Sequence, residues 1–372
     1  MIYFLCHPDP KNYQWDIVPL AEGLGELGIP FCGSAAYWEK PDGSWLIEKG
    51  EERAGQEADA VVVSTGFLYW IQGRGRDQHG QLPEWILQRE LRGKVVGMDF
   101  CDGYLSPVTQ KWSKSFDIIL RAHFNRRCGW PPQTRPWAYG LTNRILATAA
   151  KFRNDFSSKK GCLFAFGASH GFPHGAREHA QQHLFSEISS RIPMVTQQDK
   201  LSELPADSEE RRLWSQCAGR HNPDFFRRLS SVQICAAFCG ELVPSLPLRP
   251  DFLVGGNRAK MRKWFWTALS RLQGGCDRLI QADSWRFWEA LASGAAVLHH
   301  DADETGWILP VPPIPFKTYL PVSLRGDNQR LFSVLRDEQT LRGIAEAGRE
   351  WALENYSPKR AATRMLHAVG LG

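Results

Sequence analysis

Short apolar runs alternate with helical patterns along the first part of the chain: "IYFLC", then "DIVPLAEGLGELG", "ADAVVVST", "LPEWILQRELRG", "KVVGMDF" and "FDIILRA". Alternation of this kind, punctuated by Gly or Pro, is the mark of β-α-β units around a parallel sheet. After "NRILATAA" comes "KFRNDFSSKKG", a polar stretch with no apolar period. "CLFAF" then opens a second series that continues through "SEISSRIPMVT", "SVQICAAFCG", "SWRFWEALASGAAVLHH" and "IPFKTYLPVS". The pattern predicts an α/β protein of two Rossmann-like lobes facing a cleft, residues 1–155 and 156–340. In the tail Leu341, Ile344, Ala345, Ala347, Trp351 and Ala352 fall at helical spacing, break at Ser357-Pro358 and resume. Residues 341–372 are therefore expected to be closing helices that pack back towards the first lobe. The charged stretch from "QQDKLSEL" to "GRHNPDFF" is expected to be irregular or partly helical on the surface.

Within "QADSWRFWEALASGAAVLHHDADE", residues 281 to 304, the apolar positions Trp285, Trp288, Leu291 and Ala292 recur at helical spacing. Asp283 or Ser284 can cap this helix and Gly294 ends it, after which "AAVLHH" reads as a buried parallel strand. Ligands of such sheets sit outside the carboxyl ends of strands, near helix N-termini that favour anions. Ser284 and Arg286 are thus placed to meet a phosphate, with Glu289 one turn further along. From spacing alone an Arg286–Glu289 ion pair accounts for those two residues equally well. A second anion site is suggested by "FAFGASHGFPHGAR", where Gly167, Ser169 and Gly171 free backbone amides ahead of a helix carrying Arg177. Lys260 and Arg262 are further cationic candidates.

Composition narrows the class. Hydrophobic residues are 43% and charged residues 23% of 372, as in a soluble globular chain of two domains. The formal net charge of +5 suits an anionic small ligand and comes with no basic run for nucleic acid. No apolar segment reaches the roughly 18 residues of a membrane span. No positively charged region precedes the first apolar run, and nine scattered cysteines read as buried thiols, so a cytoplasmic location is expected.

"SWRFWEALASGAAVL" is similar to the EA-x-A-x-G-x-P-V segment in the C-terminal lobe of GT-B glycosyltransferases, including exostosin-like and spore-maturation-type families. The closing "LRGIAEAGREWALENYSPKRAATRML" also looks like theirs, so the resemblance covers roughly residues 275 to 370. It implies a GT-B glycosyltransferase whose Glu289 holds the ribose of a nucleotide sugar, and whose loop at Gly167 and Ser169 holds the diphosphate. The nucleotide-diphosphate sugar is the donor substrate, with no further cofactor and no metal required; the acceptor is a glycan, lipid or protein. Retaining members carry a second glutamate at the position that is Gln281 here, and the proline before the strand is replaced by Ala295-Ala296.

Sugar transfer needs a base for the acceptor hydroxyl and groups that stabilise the leaving phosphate. His7, Asp99 and Asp102 all follow predicted strands of the first lobe and are the candidates for the base. Two other classes stay open. His299, His300, Asp301, Asp303 and Glu304 suggest a metal-dependent hydrolase, although alternation along a strand lets His299 and Asp301 converge and leaves His300 on the other face. Fifteen tryptophans suggest a non-catalytic sugar-binding protein, distinguished from an enzyme by the lack of any base facing the nucleotide site.

Overall fold

The computed structural model describes residues 1–71, 81–101, 111–166, 175–196, 204–243, 278–324 and 327–372. Two parallel sheets dominate it. The first contains β1 (Ile2–Leu5), β2 (Phe31–Gly33), β5 (Ala60–Val63), β6 (Lys94–Asp99), β7 (Ile118–Arg121) and β8 (Thr134–Pro136) in the order β2-β1-β5-β6-β7-β8. A small antiparallel hairpin, β3 (Tyr37–Glu39) and β4 (Trp45–Ile47), lies beside it. The inner strands "IYFL" and "AVVV" are buried along their whole length, as parallel strands covered on both faces must be.

The second sheet contains β9 (Cys162–Phe164), β10 (Met194–Thr196), β11 (Ile234–Ala236), β14 (Ala296–His300) and β15 (Leu320–Val322) in the order β10-β9-β11-β14-β15, again all parallel. Strand order reverses between β9 and β11, and ligands of open α/β sheets bind outside the carboxyl ends at that point. A two-stranded ribbon, β12 (Glu241–Val243) with β13 (Arg278–Ile280), branches from the end of β11. Its turn needs Gly240, whose φ is +80° and where a side chain would collide with the carbonyls of Ile280 and Gln281.

The helices are α1 (Val18–Glu26), α2 (Glu52–Glu57), α3 (Thr65–Ile71), α4 (Glu84–Leu87), α5 (Asn143–Lys151), α6 (Gly175–His183), α7 (Phe185–Ser189), α8 (Ser208–Gln216), α9 (Pro223–Ser231), α10 (Trp285–Ala292), α11 (Ala302–Thr305), α12 (Gln329–Val334), α13 (Glu338–Tyr356) and α14 (Pro358–Val369). The helical pattern expected over "LPEWILQRELRG" shrinks to the single turn α4, because the chain turns left-handed at Arg89 (φ 61°). The charged stretch expected to be irregular or partly helical contains α8 and the start of α9, each begun by an Asx cap: Asp207 accepts from the Glu210 amide and Asn222 from the Asp224 amide. Helix α13 packs on α10 and β14, whereas α14 returns to the first lobe and packs along α1. That contact is close at Gly23, where any side chain would strike the Pro358 carbonyl.

The carboxyl edges of the two sheets face each other. Tyr139, just after β8, donates its amide to Asp283 Oδ2 at 2.6 Å. Asn125, just after β7, donates to the carbonyls of Leu279 (3.0 Å) and Thr305 (2.8 Å). The Glu39 carbonyl of the hairpin accepts from Arg212 and Gln216 of α8. Cys6, Cys162, Cys217, Cys235 and Cys239 are buried free thiols, and Cys101 is buried as well.

Candidate functional site

Helix α10 is buried nearly all round, more than the one apolar face its spacing suggests, because β14, α13, α5 and α9 all pack on it. Its N-cap is Ser284, whose hydroxyl makes no capping bond and lies beside the Cys239 thiol. The preceding Asp283 anchors the helix from both sides, accepting the Tyr139 amide through Oδ2 and the Trp288 indole N–H through Oδ1 at 2.7 Å. Burial outweighs those bonds and raises the Asp283 carboxyl to about 7.

Arg286 and Glu289 do not pair. Glu289 is buried and its Oε1 lies 2.7 Å from His221 Nδ1. Arg286 stacks over the Phe225 ring at 5.5 Å, and its buried Nε has no hydrogen-bond partner among the described residues. Arg177, on α6, sits where the strand order reverses: its Nε donates to the Phe238 carbonyl beyond β11 at 3.0 Å, and its guanidinium lies over Phe166 beyond β9. Burial lowers the Arg177 pKa, the Cys239 thiol partly offsets this, and the neighbouring Arg286 charge lowers it further. Burial likewise pushes the Cys239 thiol up to about 12 even though both guanidiniums favour its anion. Two cations thus converge on the N-termini of α6 and α10 with no carboxylate ion pair among the described residues. Cations at helix N-termini attract polyanions. Gly167, Ser169, Gly171, Lys260 and Arg262 lie outside the described residues.

In the first lobe, Asp99 ends β6 and is fully buried, 2.6 Å from Arg121 Nη1. Its Oδ1 also accepts the Cys101 amide at 3.2 Å. A carboxylate committed to a buried guanidinium is a structural ion, not an exposed base. His7 is half-buried after β1; its Nδ1 accepts the Asp9 amide at 3.0 Å. That bond puts the proton of the neutral ring on Nε2, which makes Nε2 a donor where a base would need a lone pair. Burial lowers the His7 pKa, so the ring stays neutral. Asp102 lies outside the described residues.

The acids after β14, and His299 near its end, have partners within the fold, whereas His300 is buried with neither ring nitrogen hydrogen-bonded to a described residue. Asp301 caps α11, its Oδ1 accepting the amides of Asp303 (2.9 Å) and Glu304 (3.0 Å). Glu304 accepts the Leu324 amide at 3.0 Å, and Asp303 is exposed beside Arg126. The ring nitrogens of His299 face the His300 and Ala282 carbonyls, each at 3.1 Å. Among the described residues no group of three metal-ligating side chains converges.

Three residues of this region are invisible to strand-end reasoning. His221 precedes the Asn222 cap of α9 with φ 55°, a left-handed conformation that costs a non-glycine residue on the order of 1 kcal/mol. Its ring joins Glu289 to Tyr13, whose Oη lies 2.9 Å from Nε2. His123, buried beyond β7, has its Nε2 3.4 Å from the Tyr139 hydroxyl; burial and then the Arg121 charge hold its pKa well below the usual histidine value. The adjacent motif "HNPD" reads as a turn, and nothing local marks His221 as a bridge.

No known family model matches the chain, and no curated protein matches it in sequence. Solved structures do match in shape. An alpha-glucosyltransferase in complex with UDP-glucose and DNA containing an abasic site is similar over 99% of this chain and 98% of its own, with a TM-score of 0.50 and 8% identity. AviGT4, a glycosyltransferase involved in Avilamycin A biosynthesis, matches over 99% and 96% with a TM-score of 0.48 and 15% identity. HepE of Anabaena, in complex with UDP, matches over 98% of both chains with a TM-score of 0.46 and 11% identity. The two parallel sheets, their facing carboxyl edges and the first of these likenesses define the chain's fold as GT-B, two Rossmann-like lobes.

Proposed function

We propose that this protein is a glycosyltransferase that moves a sugar from a nucleotide-diphosphate donor to an acceptor hydroxyl. The observation that carries the reading is the pair of guanidiniums with no carboxylate partner among the described residues, Arg177 and Arg286, beside the N-termini of α6 and α10 at the switch point of the second sheet. Such a cluster binds a diphosphate and stabilises the negative charge that grows on it as the glycosidic bond breaks. Helix α10 then carries the ribose contact at Glu289 and the phosphate contacts at Ser284 and Arg286. The glycine-rich loop at Gly167 and Ser169 supplies amides to the same diphosphate. Two cations take the charge-neutralising role that a metal ion has in other transferases, so the reaction needs none.

The base comes from the first lobe. With Asp99 held by Arg121 and His7 set as a donor, Asp102, directly after the buried Cys101, takes the role. The acceptor hydroxyl gives its proton to Asp102 and attacks the anomeric carbon while the nucleoside diphosphate leaves. Among the described residues no helix is long and apolar enough to cross a membrane. The buried free thiols favour a reducing compartment, the cytoplasm.

The test is calorimetry against nucleoside diphosphates and their sugars, with and without EDTA, followed by a donor-hydrolysis assay. The panel begins with UDP and UDP-glucose, the latter bound by the alpha-glucosyltransferase. Binding that survives EDTA and weakens at least about tenfold in Arg286→Ala supports the reading. Hydrolysis abolished in Asp102→Asn with binding retained supports the base. A protein that binds no nucleotide diphosphate overturns both.

A further inference from the structure

The loop between α8 and α9 reaches under α10 and brings His221 between the lobes. The His221 ring is buried, with Nδ1 2.7 Å from Glu289 Oε1 in the second lobe and Nε2 2.9 Å from Tyr13 Oη in the first. A carboxylate can only accept, so Nδ1–H donates to Glu289. In the neutral ring Nε2 then accepts from the Tyr13 hydroxyl. Burial raises the Tyr13 pKa well above 10, which keeps that proton in place.

The chain is walled by aromatics. Trp285, the first residue of α10 and one turn before Glu289, meets His221 edge-on at 4.8 Å and stacks on Tyr13 at 5.8 Å. Arg144 of α5 steadies the loop from behind, donating to the His221 carbonyl at 3.3 Å while paired with Glu210 of α8. Among the described residues only Oε1 of Glu289 is hydrogen-bonded, to His221.

We propose that Tyr13, His221 and Glu289 form a cross-lobe positioning relay: His221 holds Oε1 so that Oε2 is presented to a ribose hydroxyl of the donor, and Tyr13 makes that orientation depend on the lobes being docked. The inference rests on the reading that α10 binds a nucleotide. It makes His221 a positioning residue that touches no ligand, and it makes Tyr13, in the other lobe, a determinant of donor affinity. Buried hydrogen-bonded chains of this kind polarise one another, so removing a distal member weakens the terminal contact.

Ribose and diphosphate can be separated experimentally. Calorimetry would compare UDP, GDP and ADP, each beside its 2′-deoxy form, with inorganic pyrophosphate, in the full-length wild type, Tyr13→Phe, His221→Gln and His221→Ala. The wild type is expected to prefer its ribonucleotide over the deoxy form by about tenfold, the worth of one charge-assisted hydrogen bond. His221→Ala should bring that ratio close to one, Tyr13→Phe should lower it at least about threefold, and His221→Gln, which keeps a donor for Glu289, should recover part of it. Pyrophosphate affinity should be the same in all four, because Arg177 and Arg286 are untouched. A Tyr13→Phe protein, which loses one hydroxyl and keeps its fold, with an unchanged ratio would overturn the relay. A wild type that binds nucleotides without preferring ribose overturns the relay and leaves the diphosphate site standing. A wild type that binds no nucleotide overturns the relay together with the proposed function.

Discussion

Arg121 and Asp99 form an ion pair, Nη1 to Oδ1 2.6 Å, from which solvent is fully excluded, and Trp130 covers the guanidinium at 5.2 Å. Removing one member takes from the other, fully buried, charge the partner it is hydrogen-bonded to. Asp99→Ala is therefore expected to destabilise the protein by about 3–5 kcal/mol in urea unfolding. A stable Asp99→Ala protein that lacks only turnover would return Asp99 to the role of base.

Arg177 and Arg286 repel each other, and neither forms an ion pair with a carboxylate of the described residues. Arg286→Ala should leave thermal stability close to that of wild type or improve it, whereas Arg177→Ala, which also unpairs the Phe238 carbonyl, should cost about 1 kcal/mol. Inorganic pyrophosphate should raise the wild-type Tm, less so as salt is added, and fail to raise it in the double variant. Equal stabilisation of wild type and double variant would place anion binding elsewhere.

Glu22 of α1 is buried at the start of α5, where its Oε2 accepts the Asn143 amide at 2.8 Å. Burial raises its pKa to about 8, with Asn143 lowering it and Glu26 raising it. The folded state thus binds this proton more tightly than the unfolded state does. The contribution is whole below the unfolded carboxylate pKa and is lost as pH rises through about 8. Glu22→Gln keeps the acceptor and removes the charge, so its Tm should fall less than that of wild type between pH 6 and 9. Parallel melting curves across that range would show that Glu22 does not titrate there.

At Gly23 the backbone of α1 touches the first turn of α14, at Pro358 and Ala362. A methyl group has no room, and Gly23→Ala should cost about 1–3 kcal/mol by prising α14 from the first lobe. Hydrogen exchange would show the loss concentrated in residues 358–369. Uniform protection with an unchanged Tm would mean that the helices separate without cost.

Asp301 holds two amides of α11 in place. Asp301→Ala should destabilise by about 1 kcal/mol, as loss of an N-cap does, and EDTA should leave the wild-type Tm where it is. A Tm lowered by EDTA and restored by a divalent ion would revive the hydrolase reading of the His299 to Glu304 segment.

The two-lobed α/β architecture was legible because its signals are local. Short apolar runs such as "AVVV" and "AAVLHH", bounded by turn residues, suit the middle of a parallel sheet, and the Trp285, Trp288, Leu291 and Ala292 spacing marks α10. Local signals misled where a side chain's partner is distant. The i,i+3 spacing of Arg286 and Glu289 suggested an ion pair, but α9 supplies Phe225 to the one and the loop before it supplies His221 to the other. Asp99 has the strand-end position of a base, and β7, its neighbour in the sheet, brings Arg121 to the same end.

By itself, then, the sequence determined the elements and their class, since hydrophobic periodicity and chain-local caps act within a few residues. It also named Arg177, Ser284 and Arg286, which the fold gathers near the N-termini of α6 and α10. Only the tertiary structure decided which charges are spent and which are left over. That decision depends on strand order and on how the lobes dock, which bring together Tyr13, His221 and Glu289 from segments far apart in the chain. Burial at that junction, a property of the packed whole, converts ordinary surface residues into a chain of hydrogen bonds.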